Sequence, residues 1–261
     1  RWVENPFDSY AANPFVLPQG RPIVPQDVQG AAAAIYVLSR IAGEGKDRRL
    51  EKGDYYLSDG EWNDLRTLDR LGLPIVLLIN AGGPVELTDL LDGAVHIEAV
   101  LQLSQLGQEG GHAVADVLLG KATPEGKLTA TWARRYTDYP CAESFSYLDG
   151  DLEKAVYREG IYVGYRYFDS FGVQPLFPFG YGLSYTDFSL RFAGLRVGAD
   201  AIEVDVEVEN AGICFSGREV AQVYISCPQN GGAKELRRLA GFAKTRLLAP
   251  GQRQTLTICI P

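Results

Sequence analysis

Hydrophobic and polar positions change their rhythm once along this chain, near residue 185. Before that point, short continuous apolar runs alternate with stretches whose apolar residues recur every three or four positions. Ala34–Ser39 (AIYVLS), Pro74–Ile79 (PIVLLI) and Ala94–Leu101 read as buried strands. A helix is expected to start near Pro25-Gln26-Asp27 and run through the following alanines. A second is signalled by Ser58-Asp59-Gly60-Glu61, with Ser58 as N-cap and Glu61 three residues on. Behind it Trp62, Leu65, Leu68 and Leu71 fall at helical spacing. Gly110–Leu119 reads as a third helix, ended by Gly120. Continuous apolar strands separated by helices imply a mostly parallel sheet covered on both faces, an α/β sandwich spanning residues 1–184.

Beyond residue 185 the helical period disappears. Ser189–Val197, Ala201–Glu209, Glu219–Ser226 and Arg253–Ile260 alternate in twos, as half-buried strands do. Ile202, Val204, Val206 and Val208 share one face, and Glu203, Asp205, Glu207 and Glu209 the other. Asn210-Ala211-Gly212 and Pro250-Gly251 mark turns. The expectation is a small β-sandwich over residues 185–261, incomplete by its last strand or two because the chain stops just after Ile258-Cys259-Ile260. The joining stretch, Tyr157–Tyr185, is unusually rich in Tyr, Phe and Gly. It reads either as an interdomain core with hydroxyls paired to backbone or as a surface that stacks on sugar rings.

Composition narrows the function classes. The 261 residues are 46% hydrophobic and 22% charged, enough to bury a core without disulfide staples. Net charge is −8, from 25 Lys+Arg against 33 Asp+Glu, which argues against a nucleic-acid partner. The densest basic stretches, Lys46–Arg49 and Lys234–Arg238, are interleaved with acids and read as solvated loops or salt-bridged turns. No apolar run approaches the ~18 residues a membrane span needs, so no membrane partner is expected. Cys141, Cys214, Cys227 and Cys259 show no metal spacing and read as small buried hydrophobes of a reducing, cytoplasmic compartment. Two histidines leave little room for a His-based metal site or a Ser-His pair, so no metal and no cofactor is expected. Arg1 in place of Met reads as a processed or excised start, with no signal peptide visible.

The loop with the most chemistry runs from Ser39 to Arg48 and leaves the carboxyl end of a buried strand, where open α/β sheets bind ligands. Glu44 stands between Gly43 and Gly45, so its carboxyl can project and a ligand can approach closely. A carboxyl in a sheltered cleft has a raised pKa and serves as a general acid; a surface Glu in a glycine loop is the commoner arrangement. Asp47 beside Arg48 reads as a pair that shapes the loop. Asn80-Ala81-Gly82-Gly83-Pro84 lacks both GxGxxG and the P-loop Lys-Ser/Thr, and reads as a tight structural turn. In Ser104–Gly111, the glutamines and Glu109 either hydrogen-bond sugar hydroxyls or cap the next helix.

In order, the segments AIYVLSRIAGEGKDRRLEKGDYYLSDGEWNDL, LPIVLLINAGGPVEL, QEGGHAVADVLLGKATPEGKLTATWA, EGIYVGYRYFDSFGVQPLFPFGYGLSYTDF and GREVAQVYIS resemble glycoside hydrolase family 3, in its bacterial β-glucosidase branch. KELRRLAGFAKTRLLAPGQRQTLTI is similar to that family's fibronectin type III-like domain. The resemblance implies a retaining exo-acting β-glycosidase built from a TIM barrel, an α/β sandwich and a fibronectin-like domain. In such an enzyme the barrel supplies an Asp nucleophile and the sandwich the acid/base Glu. The GEGKDR loop matches the acid/base loop, which makes Glu44 the catalytic residue and Arg40, Asp47 and Arg48 the substrate-side residues around it. The implied partners are a β-linked glucoside or oligosaccharide and a TIM barrel, on the same polypeptide or a companion chain. In some members the barrel follows the fibronectin-like part. No eight-fold β/α pattern occurs in this sequence, so the 261 residues alone are expected to be inactive. A sugar-binding or assembly module that keeps the fold without the chemistry is the competing reading.

Overall fold

A computed structural model describes residues 20–41, 48–145, 153–154, 156–228 and 230–261. The chain divides into two compact units, Arg1–Glu109 and Gly110–Pro261.

The first unit is built on a parallel sheet of β1 (Ala34–Ser39), β2 (Ile75–Asn80) and β3 (Ile97–Gln102), in the order β1-β2-β3. β2 is central, and Ile75, Leu77 and Ile79 on one of its faces are fully buried. Helix α1 (Asp59–Arg70) contributes Leu65 and Leu68 to the same core. The helix starts where its capping box predicts. Glu61 N donates to Ser58 Oγ at 3.1 Å and Ser58 N donates to Glu61 Oε2 at 2.7 Å. It stops at Arg70, one residue short of the last predicted stripe position, because the chain turns at Gly72 with φ +74°. Leu71 is therefore outside the helix and exposed.

Two expectations are corrected in this unit. The helix expected from Pro25 through the alanines is only a 3₁₀ turn, Pro25–Val28. Gly30 at φ +79° breaks the helical path, and alanines alone offer no apolar stripe large enough to anchor a helix. The sheet is also less covered than the apolar run of β1 implies, because Ile35 and Val37 are 59% and 51% exposed while Leu38 is fully buried. On the covered side, the Tyr36 hydroxyl donates to Asp64 Oδ2 at 3.3 Å. Burial, reinforced by the Asp64 charge, holds that phenol well above its usual pKa.

In the second unit, helices α2 (Gly110–Leu118) and α3 (Tyr165–Phe171) precede an antiparallel sheet of β4 (Phe188–Val197), β5 (Ile202–Asn210) and β8 (Arg253–Ile260). A two-stranded sheet, β6 (Val220–Ile225) with β7 (Arg238–Lys244), completes the sandwich. Its core is Val208, Ala221, Leu248, Leu256 and Ile258. Register puts Leu190, Phe192, Leu195 and Val197 of β4 opposite Val208, Val206, Val204 and Ile202, on the apolar face. Asn210 closes the β5 end. Fully buried, it accepts from Thr186 Oγ1 and Gly212 N and donates to the carbonyls of Phe215 and Leu248. β7 is a strand that two-residue alternation did not reveal, since its outward and inward positions are both mixed.

The aromatic stretch lies in this unit, and several of its hydroxyls do meet backbone. Tyr165 Oη accepts from Leu239 N at 2.7 Å, and Tyr185 Oη donates to Val117 O at 2.9 Å. Tyr165 stacks on Phe179, and Phe177 on Tyr181. A Cβ at Gly182 would overlap the Gly126 carbonyl oxygen, so the crossing of these segments requires glycine there. The cysteines depart from their expected burial: Cys214, Cys227 and Cys259 are exposed thiols and Cys141 is half-buried. Among the described residues, no helix is long and apolar enough to cross a membrane.

Truncating the central strand should be severe. Leu77→Ala, at a fully buried position, is expected to cost about 3 kcal/mol in a urea titration. Arginine–carboxylate ion pairs set a second outcome. Asp27 is lowered to about 2 by its hydrogen bond from Arg21, and Asp205 and Glu235 are lowered by Arg196 and Arg238. A carboxylate with a folded pKa below its unfolded one adds stability above the ordinary carboxylate range and loses it as pH falls. The melting temperature should therefore drop between neutral pH and about pH 3, and the drop should shrink in Arg196→Ala.

Candidate functional site

The carboxyl end of the parallel sheet carries the loop singled out by sequence. Glu44 and Asp47 lie outside the described residues. Arg40 and Arg48, on either side of them, are described, and both are deeply engaged.

Arg40 follows directly on β1 and is 5% exposed. Its guanidinium forms a fork with the Glu61 carboxylate, Nη1 to Oε1 at 2.7 Å and Nη2 to Oε2 at 2.9 Å. Nη1 also donates to Ser39 O at 2.8 Å, Nη2 to Tyr56 O at 3.5 Å, and Nε to Asp54 O at 2.5 Å. A guanidinium has five N–H donors, so every donor of Arg40 has an acceptor within the chain. Glu61 thus serves twice, as the reciprocal partner of the Ser58 cap and as the counter-charge of Arg40.

Arg48 reaches three ways. Nε donates to Asp54 Oδ1 at 2.7 Å, Nη2 to Asp54 O at 2.6 Å, and Nη1 to Pro84 O at 2.5 Å. Its guanidinium also lies 5.9 Å from the centre of the Tyr55 ring. The last bond ties the loop to the Asn80–Pro84 turn after β2, in keeping with a structural role for that turn.

Asp54 joins the two arginines. Only 1% exposed, it offers its carbonyl to Arg40 and Arg48 together, Oδ1 to Arg48, and Oδ2 to Arg49 N at 2.6 Å. The turn that presents it depends on Gly53 at φ +87°, where Gly53 N donates to Tyr56 O and Tyr56 N to Glu51 O. Sequence reasoning did not single out Asp54. Its one signal was the Lys52-Gly53-Asp54 turn, which shows a bend but not what the carboxylate meets. Glu61 was found as a capping residue, not as a partner of Arg40.

The third strand end is quieter. Gln102 Nε2 donates to Ala81 O at 2.9 Å, while its Oε1 is buried without a hydrogen-bond partner. Ser104, just beyond, has φ +56°, the one non-glycine residue with positive φ among the described residues. Gln105 lies against Gly82.

A parallel α/β unit followed along the chain by an antiparallel β-sandwich defines the class: a two-part α/β and β-sandwich chain. The profile of the glycosyl hydrolase family 3 C-terminal domain matches residues 19–165, and that of the fibronectin type III-like domain matches residues 219–261. The chain belongs to glycosyl hydrolase family 3, as its C-terminal-domain portion. It is 37% identical to a β-glucosidase of Ruminococcus albus over 98% of this chain and 27% of that protein. It is also 37% identical to β-glucosidase A of Butyrivibrio fibrisolvens, over 92% of this chain and 34% of that protein. Among solved structures, a β-glucosidase from Paenibacillus barengoltzii superposes with TM-score 0.89 at 40% identity, covering 99% of this chain and 29% of that one. β-Glucosidase 3B of Thermotoga neapolitana, in complex with glucose, gives 0.83 at 38% identity, covering 98% and 37%. The chain thus spans about a quarter to a third of the length of the curated relatives it matches.

The Arg40–Glu61 fork is largely shielded from water, its side chains 2% and 15% exposed, and removing Arg40 leaves the Glu61 carboxylate without its counter-charge. Arg40→Ala is expected to destabilise the chain by about 3–5 kcal/mol, measured by denaturant unfolding.

Proposed function

We propose that this chain is the acid/base-bearing portion of a retaining, exo-acting β-glucosidase. Glu44 protonates the departing glycosidic oxygen and then takes a proton from the incoming water. An Asp nucleophile on a TIM barrel, of the same polypeptide or a companion chain, its carboxyl ~5–5.5 Å from that of Glu44, attacks the anomeric carbon directly. The terminal β-D-glucosyl residue of a glucoside or oligosaccharide is the substrate. The observation that carries this reading is family membership together with the named β-glucosidases among the relatives, all matched over nearly this whole chain. Support from geometry comes from Arg40 and Arg48, the described residues that flank Glu44 in the sequence, both of which are anchored on the Asp54 carbonyl. The exposed thiols of Cys214 and Cys259 accord with a reducing bacterial cytoplasm as the location.

One carboxylate cannot run a double displacement. The purified 261-residue chain is therefore expected to show no turnover of an aryl β-glucoside. The gene product isolated from its source should exceed 28.6 kDa, hydrolyse aryl β-glucoside faster than β-xyloside, and lose that activity on Glu44→Gln. A native product of 28.6 kDa that binds glucose without turnover would overturn the reading in favour of a non-catalytic sugar-binding module.

A further inference from the structure

We propose that Asp54 is a positioning residue for the acid/base loop, and that Arg40 and Arg48 are the two stems it holds rather than groups that touch the sugar. This rests on the reading of Glu44 as the proton donor.

Four observations carry the proposal. The first is saturation: all five donors of Arg40 are taken by Ser39, Asp54, Tyr56 and Glu61, leaving none for a substrate hydroxyl. The second is convergence. One backbone carbonyl, Asp54 O, accepts from Arg40 at 2.5 Å and from Arg48 at 2.6 Å, and these two residues bracket residues 41–47. The third is direction. The three bonds of Arg48 diverge to the Asp54 carboxylate, the Asp54 carbonyl and Pro84 O, a pattern that a planar fork satisfies and a lysine ammonium does not. The fourth is charge: the guanidinium groups of Arg40 and Arg48 are matched by the carboxylates of Asp54 and Glu61. The clamp is thereby neutral within these four side chains.

A general acid must stand within hydrogen-bond reach of the oxygen it protonates, so loosening a stem should cost proton donation before it costs sugar binding. The effect depends on the leaving group. A phenyl β-glucoside needs its oxygen protonated as the bond breaks, whereas a dinitrophenyl β-glucoside departs as a stable anion and needs little help.

The test uses the native gene product with every domain it carries. Arg48→Lys and Asp54→Asn are compared with Glu44→Gln, with melting temperatures recorded beside kcat/KM on the two glucosides. Both stem variants are expected to lose about 100-fold in kcat/KM on the phenyl glucoside and far less on the dinitrophenyl glucoside. Arg48→Lys keeps its charge and should leave the pH optimum in place. A merely structural weakening would lower both substrates equally, and that result, or no loss on either, overturns the proposal. If Asp54→Asn does not fold, Arg48→Lys decides alone. Should Glu44→Gln itself spare the phenyl glucoside, the acid/base reading falls and the positioning role falls with it. A selective loss in Glu44→Gln without one in the stem variants refutes the positioning role only.

Discussion

Asp54 accepts four hydrogen bonds in a place where water does not reach, and the local architecture of the first unit depends on them. A guanidinium withdrawn from water needs its donors met by acceptors of the protein, or the cost of burial is not recovered. Arg40 satisfies this by drawing in the end of β1, the Gly53–Tyr56 turn and the first turn of α1. Arg48 does so by drawing in the turn after β2. Two guanidinium groups, one buried and one partly buried, thus impose one arrangement on four chain segments. The same carboxylate that caps α1 neutralises Arg40, so the position of the helix start and that of the loop stem are one constraint.

What sequence made legible in this unit was periodic. The β2 run, the capping box and Leu65 with Leu68 all follow from local spacing, and each stands where its period puts it. Asp54 escaped because its partners are distant: Arg40 lies fourteen residues away in the chain and Pro84 thirty from it, with Arg48 as the link. A one-dimensional pattern carries no signal for three segments meeting at a carbonyl. The misjudged helix at Pro25 failed for a related reason. Pro, Asp and alanines favour a helix locally, but no apolar stripe gives such a segment a tertiary partner. β1 shows the converse, since AIYVLS is apolar enough for two buried faces and one of them is exposed.

In the second unit, alternation located four of the five strands, and the fifth became visible only through its pairing with β6. Buried polar groups there are as constrained as in the first unit. Asn210, read from sequence as a turn residue, uses both amide donors and accepts twice on its carbonyl oxygen, all out of contact with solvent. A side chain that can make four bonds and makes four fixes the turn that follows β5 more firmly than any glycine there would. The aromatic stretch follows the same logic, since its large rings bury area while Tyr165 and Tyr185 keep their hydroxyls paired to backbone.

The proposed chemistry gives these constraints their purpose. In a retaining glycosidase one carboxyl serves as acid in the first step and as base in the second, so it must address two different oxygens from one position. A residue between two glycines has the backbone freedom to do that, but freedom at the tip is useful only if the base is fixed. Each ångström of drift in a reacting group costs about two orders of magnitude in rate. Arg40 and Arg48, spent entirely or largely on Asp54, Glu61 and Pro84, supply a fixed base at the cost of their own availability to a ligand. The substrate must then be held by groups other than Arg40. Recognition of the sugar and delivery of the proton are accordingly separated on the proposed reading: the barrel holds the glucosyl ring and its nucleophile, while this chain brings a single acid from a rooted loop.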